Sequence, residues 1–190
     1  GREAEDDERA IFLVDTSSLD SLDQVSQDGS RYNLLHAAVV RNIVLRLRDQ
    51  GDVARTNSLG ICAPFKAQAR LLNAIVQDEG LQEYARAGTV HRWQGDEAES
   101  MILDLTIGES QKPVGPFFDS ENVSEDNAKI LNVALTRAKK QLIIIANLKV
   151  LDNKLPNHAV AREILARAEE SGQVISAERL FSIWATRSPP

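Results

Sequence analysis

Short continuous apolar runs alternate along this chain with longer stretches in which apolar residues return at helical spacing. The runs cover residues 11–14, 59–63, 101–106 and 142–146, and a further one ends near Thr89 and Val90. Runs this short, without strict polar alternation, predict strands buried on both faces. Helical patterns lie between them.

Ser30 is placed to cap a helix that stops near Gly51, where glycine favours termination. Its apolar residues Leu34, Leu35, Ala38, Val39, Ile43, Leu45 and Leu47 surround much of the helix, which predicts deep burial. Pro64 opens a second helix with Phe65, Ala69, Leu72 and Val76 on one stripe. Asp126 can cap a third, running to about Lys139, and residues 158–170 and 177–185 predict terminal helices. Segments 17–29 and 112–125 read as loops. Strands alternating with helices give an α/β layered domain over 11–151 with a largely parallel sheet. The acidic segment 1–10 reads as a disordered leader and 152–190 as a helical extension.

Composition changes this picture little. Apolar residues make up 43% and charged residues 26% of the 190, as in ordinary globular chains. No apolar run approaches the roughly 20 residues that span a bilayer, so no membrane partner is expected. Gly at position 1 suggests an excised fragment or a processed chain. The one cysteine, Cys62, sits inside an apolar run and reads as core packing, with an intracellular, cytoplasmic location as the inference. The net charge of −6 runs against the usual basic face of a nucleic-acid binder. Basic residues would have to be concentrated on one surface.

Two polar blocks carry the chemistry. The first, N-V-A-L-T-R-A-K-K over 132–140, leads into the apolar run 142–146. On a helix, Ile130, Leu131, Ala134, Leu135 and Ala138 form an apolar arc with Arg137 at its border. An arginine braced there can project forward, as an arginine finger does toward a transferring phosphoryl group. The second block, T-V-H-R-W-Q-G-D-E over 89–97, follows a strand. Gly95 permits a positive φ, Gln94 and Glu97 offer amide and carboxylate contacts, and Thr89 and His91 can bond phosphates. Trp93 and His91 taken singly are ordinary packing or surface residues; the spacing is the signal. The carboxylates of 96–99 lack the apolar strand that a metal-binding box needs, and no metal ligand set is expected. No G-x-x-x-x-G-K-[ST] loop occurs, so the chain has no phosphate cradle of its own.

Residues 89–97 and 132–140, in that chain order, resemble motifs V and VI of superfamily 1 helicases. Residues 59–68, L-G-I-C-A-P-F-K-A-Q, resemble motif IV of the group related to nonsense-mediated decay, and Ser30-x-x-Asn33 followed by Ala37 resembles the helix before it. His36 stands where that helix usually has Glu, Ala63 where motif IV often has Thr or Ser, and Lys129-Ile130 where Arg-Arg often precedes Leu-Asn.

The resemblance implies the second RecA-like domain of such a motor: three layers, α/β, lacking its own P-loop. Arg137 would then be catalytic, reaching the γ-phosphate of ATP. ATP and Mg2+ would be held mainly by an N-terminal RecA-like domain of the same parent chain. Gly95, Glu97 and Gln94 would border the nucleotide, with Gln94 and Gln68 bracing loops. Thr89, His91, Pro64 and Phe65 would face single-stranded DNA or RNA. The domain alone would hydrolyse nothing. The alternative is a non-catalytic RecA-like module that binds nucleic acid or a partner.

Overall fold

The structure, a computed structural model, describes residues 10–56, 58–93, 95–110, 113, 114, 118 and 136–182. The apolar runs form strands β1 (Ala10–Asp15), β4 (Leu59–Ala63), β5 (Ala85–Thr89), β6 (Ala98–Asp104) and β7 (Ala138–Ala146). Strand β8 (Gln173–Ser176) joins them in one six-stranded sheet of order β5-β4-β6-β7-β1-β8, in which every pairing is parallel. Strands β2 (Gln24–Val25) and β3 (Arg31–Tyr32) make a small separate ribbon.

Successive strand residues point to opposite faces, and both faces are apolar. On one face Leu13, Met101, Leu103, Leu142 and Ile144 pack against Leu151 and Leu165. Those two lie on helices α3 (Leu148–Lys154) and α4 (Val160–Ser171). On the other face Val14, Ile61, Ile102, Ile143 and Ile145 meet Val40, Val44, Leu72 and Leu180. These come from α1 (Leu34–Gln50), α2 (Lys66–Asp78) and α5 (Glu178–Ser182). Each such side chain contributes about 2 kcal/mol when buried. Helix–sheet–helix is the layered α/β domain that the strand–helix alternation predicts, and the three-layer RecA-like fold that the resemblance implies.

Several boundaries differ from expectation. Asn33, not Ser30, caps α1, its side chain accepting from the His36 N–H. Ser30 Oγ accepts instead from the Ala67 N–H in α2, 2.9 Å away. The S-x-x-N pair thus ties the starts of two helices together. Strand β6 stops at Asp104 because its carboxylate accepts the Thr106 N–H at 2.8 Å, and Thr106 turns to φ 68. Strand β7 begins at Ala138, not 142, so Ala138 is a strand residue rather than part of a helical arc. Its cause is pairing with β6: Ala98 N donates to Arg137 O at 3.0 Å. Ala10, read as leader, is the first residue of β1, and β8 adds a strand to the expected helical extension. The leader 1–9, most of the helix 126–139, residues 183–185, and most of the loop 112–125 lie outside the described residues.

Candidate functional site at two ends of the sheet

A parallel sheet has two chemically distinct ends, and the candidate residues divide between them. At the C-terminal end, β5 finishes at Thr89 beside Ala63 of β4, and Pro64 and Phe65 follow at once. Phe65 is half-buried; its ring lies 6.4 Å from the Phe118 ring and 5.9 Å from the Arg31 guanidinium. Arg31 is held by the fully buried Asp23 carboxylate at 2.6 Å. His91 is exposed on the single 3-10 turn Val90–Trp93. The buried partners of that turn, Val90 and Trp93, anchor it, and Trp93 Nε1 donates to Ile61 O at 3.2 Å.

Below this end lies a closed polar network. Gln68 Nε2 donates to Asp104 Oδ2 at 2.6 Å and to Asn33 O at 3.2 Å, while Gln68 Oε1 accepts the Asn33 N–H at 2.8 Å. Gln68 therefore braces the loops, as its place in the motif suggests. Cys62 is wholly buried, and burial pushes its thiol well above the usual range, so it is a packing residue without nucleophilic character.

At the N-terminal end, the turn after Trp93 places Gly95 at φ 89, a conformation that glycine adopts without a β-carbon penalty. Glu97 then leads into β6 beside Arg137, which leads into β7. Arg137 is half-buried, and its Nε is buried with no hydrogen-bond partner among the described residues. Arg86 Nε and Arg162 Nε are buried in the same condition. The Lys139 ammonium lies 2.8 Å from the Glu97 carboxylate; that bond, and then the nearby charges of Lys139 and Arg137, hold Glu97 below the ordinary carboxylate range. Arg86 pairs with Asp96 at 2.9 Å and lies 4.5 Å from the Trp93 ring centroid, so it steadies the turn from β5. Gln94 lies outside the described residues.

The sequence singles out neither Arg86 nor the pairing of Lys139 with Glu97; it places Lys139 only at the basic end of a helix. Acids at 97 and 99 facing lysines at 139 and 140, ahead of two apolar runs, were the available signal. Among the described residues no group of three or more His, Cys, Asp or Glu is arranged to hold a metal ion. No helix among them is long and apolar enough to cross a membrane.

The sequence profile of a family described as an AAA domain matches residues 2–149. DNA polymerase alpha-associated DNA helicase A of Saccharomyces cerevisiae is 31% identical over 152 residues, covering 77% of this chain. Regulator of nonsense transcripts 1 of Dictyostelium discoideum is 27% identical over 154 residues, covering 75%. Helicase sen1 of Schizosaccharomyces pombe is 27% identical over 173 residues, covering 86%. The matched segment spans 21%, 11% and 10% of those three proteins' own lengths.

Proposed function

The chain belongs to the AAA domain family as the second RecA-like domain of a superfamily 1 helicase resembling the nonsense-mediated-decay group, and from that premise we propose that it forms one wall of an ATP-hydrolysing cleft and part of a single-strand track. The observation that carries this reading is the hydrogen bond from Ala98 N to Arg137 O, 3.0 Å long. It brings Arg137 and the Gly95–Glu97 turn to one end of the sheet, while Thr89, Pro64 and Phe65 stand at the other. One end can then serve a nucleotide and the other a strand, with a stiff parallel sheet between them to couple the two.

The half-buried Arg137, a fixed cation beside the open turn at Gly95, fits a triphosphate. ATP, with the Mg2+ that accompanies it, supplies the γ-phosphoryl group to be transferred to water, and an N-terminal RecA-like domain of the parent chain holds most of it. Arg137 neutralises charge gathering on that group, a role worth about 10³ to 10⁵ in rate. The Gly95 turn leaves room for the nucleotide, and the ionised Glu97 offers an acceptor to its hydroxyls. At the other end Phe65 presents a ring to stack on bases, and Thr89 and His91 present phosphate donors, which gives sequence-tolerant binding to single-stranded DNA or RNA. Closing and reopening of the cleft moves the two domains along the strand.

The test uses the parent protein carrying Arg137→Ala, with single-turnover ATP hydrolysis and oligonucleotide affinity measured side by side. Hydrolysis should be lost and strand affinity kept. Unchanged turnover removes Arg137 from the chemistry.

A further inference from the structure

One groove adjoins the C-terminal end of the sheet and runs away from it along β5. Helix α2 carries Lys66, Arg70 and Asn73 at helical spacing on one face, and these line a groove of about 280 Å³ with Ala87, Gly88 and Thr89 of β5 and with Arg92. Strand β5 is one of the two edge strands of the sheet, so the groove runs along that edge. Three cations and no acid line it, in a chain whose net charge is −6. Lys66 and Arg92 make no hydrogen bond or ion pair among the described residues, and both are exposed. Arg70 reaches Asp28 at 3.1 Å, at the rim.

The position of Arg92 is built rather than incidental. Its aliphatic stem lies over Gly88, where an added β-carbon would come within 2.7 Å of Arg92 Cδ. The missing side chain at position 88 is the space that Arg92 occupies. The groove is also continuous with the strand-facing residues: Thr89 belongs to its wall, and Lys66 follows Phe65 directly.

We propose that this groove is a phosphate-backbone site that extends the single-strand track along the β5 edge, with Lys66, Arg92 and Arg70 as phosphate-binding residues. Arg70 exchanges Asp28 for a phosphate when the strand arrives. The inference rests on the reading of the chain as a strand-tracking domain. Contacts of this kind set affinity and its salt dependence without reading sequence, because each neutralised phosphate releases counterions.

The experiment measures binding of fluorescent oligo-dT and oligo-U to the parent protein over a range of salt concentrations. Lys66→Ala and Arg92→Ala should each weaken binding and flatten the slope of log K against log salt by about 0.7. Lys66→Arg should restore the slope. Asp28→Asn should act in the opposite direction and tighten binding, since it frees Arg70. Gly88→Ala, which removes no charge, should weaken binding by displacing Arg92. A Lys66→Ala/Arg92→Ala double variant with wild-type affinity and slope for both oligonucleotides overturns the proposal, and an acidic peptide as the natural occupant would give that result. If the wild-type parent binds neither oligonucleotide, the strand-tracking reading itself fails and the groove falls with it.

Discussion

His36 Nδ1 lies 2.8 Å from Asp104 Oδ1, and both side chains are fully buried. The pair joins α1 to the end of β6, and its neighbours complete it. With Nδ1–H donated to the carboxylate, Nε2 is left facing the Thr16 hydroxyl at 3.0 Å. The other carboxylate oxygen accepts from Gln68, and Thr106 N–H donates to the first. Asn33 links the same cluster to Ser21 and to Thr106 O. The loops that follow β1, β4 and β6 are thereby locked to the starts of α1 and α2.

Such a network is stabilising only while complete. Asp104→Ala leaves His36, Gln68 and the Thr106 N–H without their acceptor, and should lower stability by about 3 to 5 kcal/mol in denaturant unfolding. His36→Glu sets two carboxylates against each other in a dry site and should also destabilise. Adding Asp104→Asn to His36→Glu should recover part of the loss. If His36→Glu alone is neutral, the buried pair is not what holds this end of the sheet together.

Gly95 has open space around its missing β-carbon, so a substitution there meets only backbone strain. Gly95→Ala should cost about 1 to 2 kcal/mol, and Gly95→Asn less. If the turn borders nucleotide, KM for ATP in the parent protein should rise as well. A thermal melt alongside ATP titration separates the two effects.

Trp93 is 1% exposed and packs over Gly60, where any β-carbon would crowd both Trp93 and Met101. Trp93→Ala should cost about 3 to 5 kcal/mol, measured as a lowered denaturation midpoint. Trp93→Phe keeps most of the packing, loses the bond to Ile61 O, and should fall between that variant and wild type.

Glu97 titrates below its ordinary value of 4.5, chiefly through its bond to Lys139, and Lys139 titrates above its ordinary 10.5 through Glu97. The Glu97 contribution is complete above pH 4.5 and disappears as pH falls through its lowered value. The Lys139 contribution is complete below pH 10.5 and disappears as pH rises through its raised value. Between those limits the pair stays ionised, and its effect on stability is small because both groups face solvent. Lys139→Ala should shift the Glu97 carboxyl titration upward, read by carbon NMR, with Arg137 still keeping part of the depression.

The buried strands and helix stripes were legible because burial on both faces of a parallel sheet demands uninterrupted apolar runs, and 59–63 and 142–146 show them plainly. Ser30 misled because its hydroxyl meets α2, not its own helix. The strand 138–141 misled because Ala-Lys-Lys-Gln has no apolar run; β-pairing with the start of β6 draws it into the sheet. Strand β8 was missed for a similar reason, since half of it is exposed at an edge.

By itself the sequence determined the layered α/β class, the order of its motifs and the residue types that could meet phosphate, because hydrophobic period and motif spacing are local properties. Only the tertiary structure decided that Arg137 and the Gly95–Glu97 turn share one end of the sheet while Phe65 and Thr89 share the other. It also decided that His36 meets Asp104 and that Arg92 lies across Gly88. Those relationships depend on strand order and register, which join residues far apart in the chain and leave no periodic trace in it.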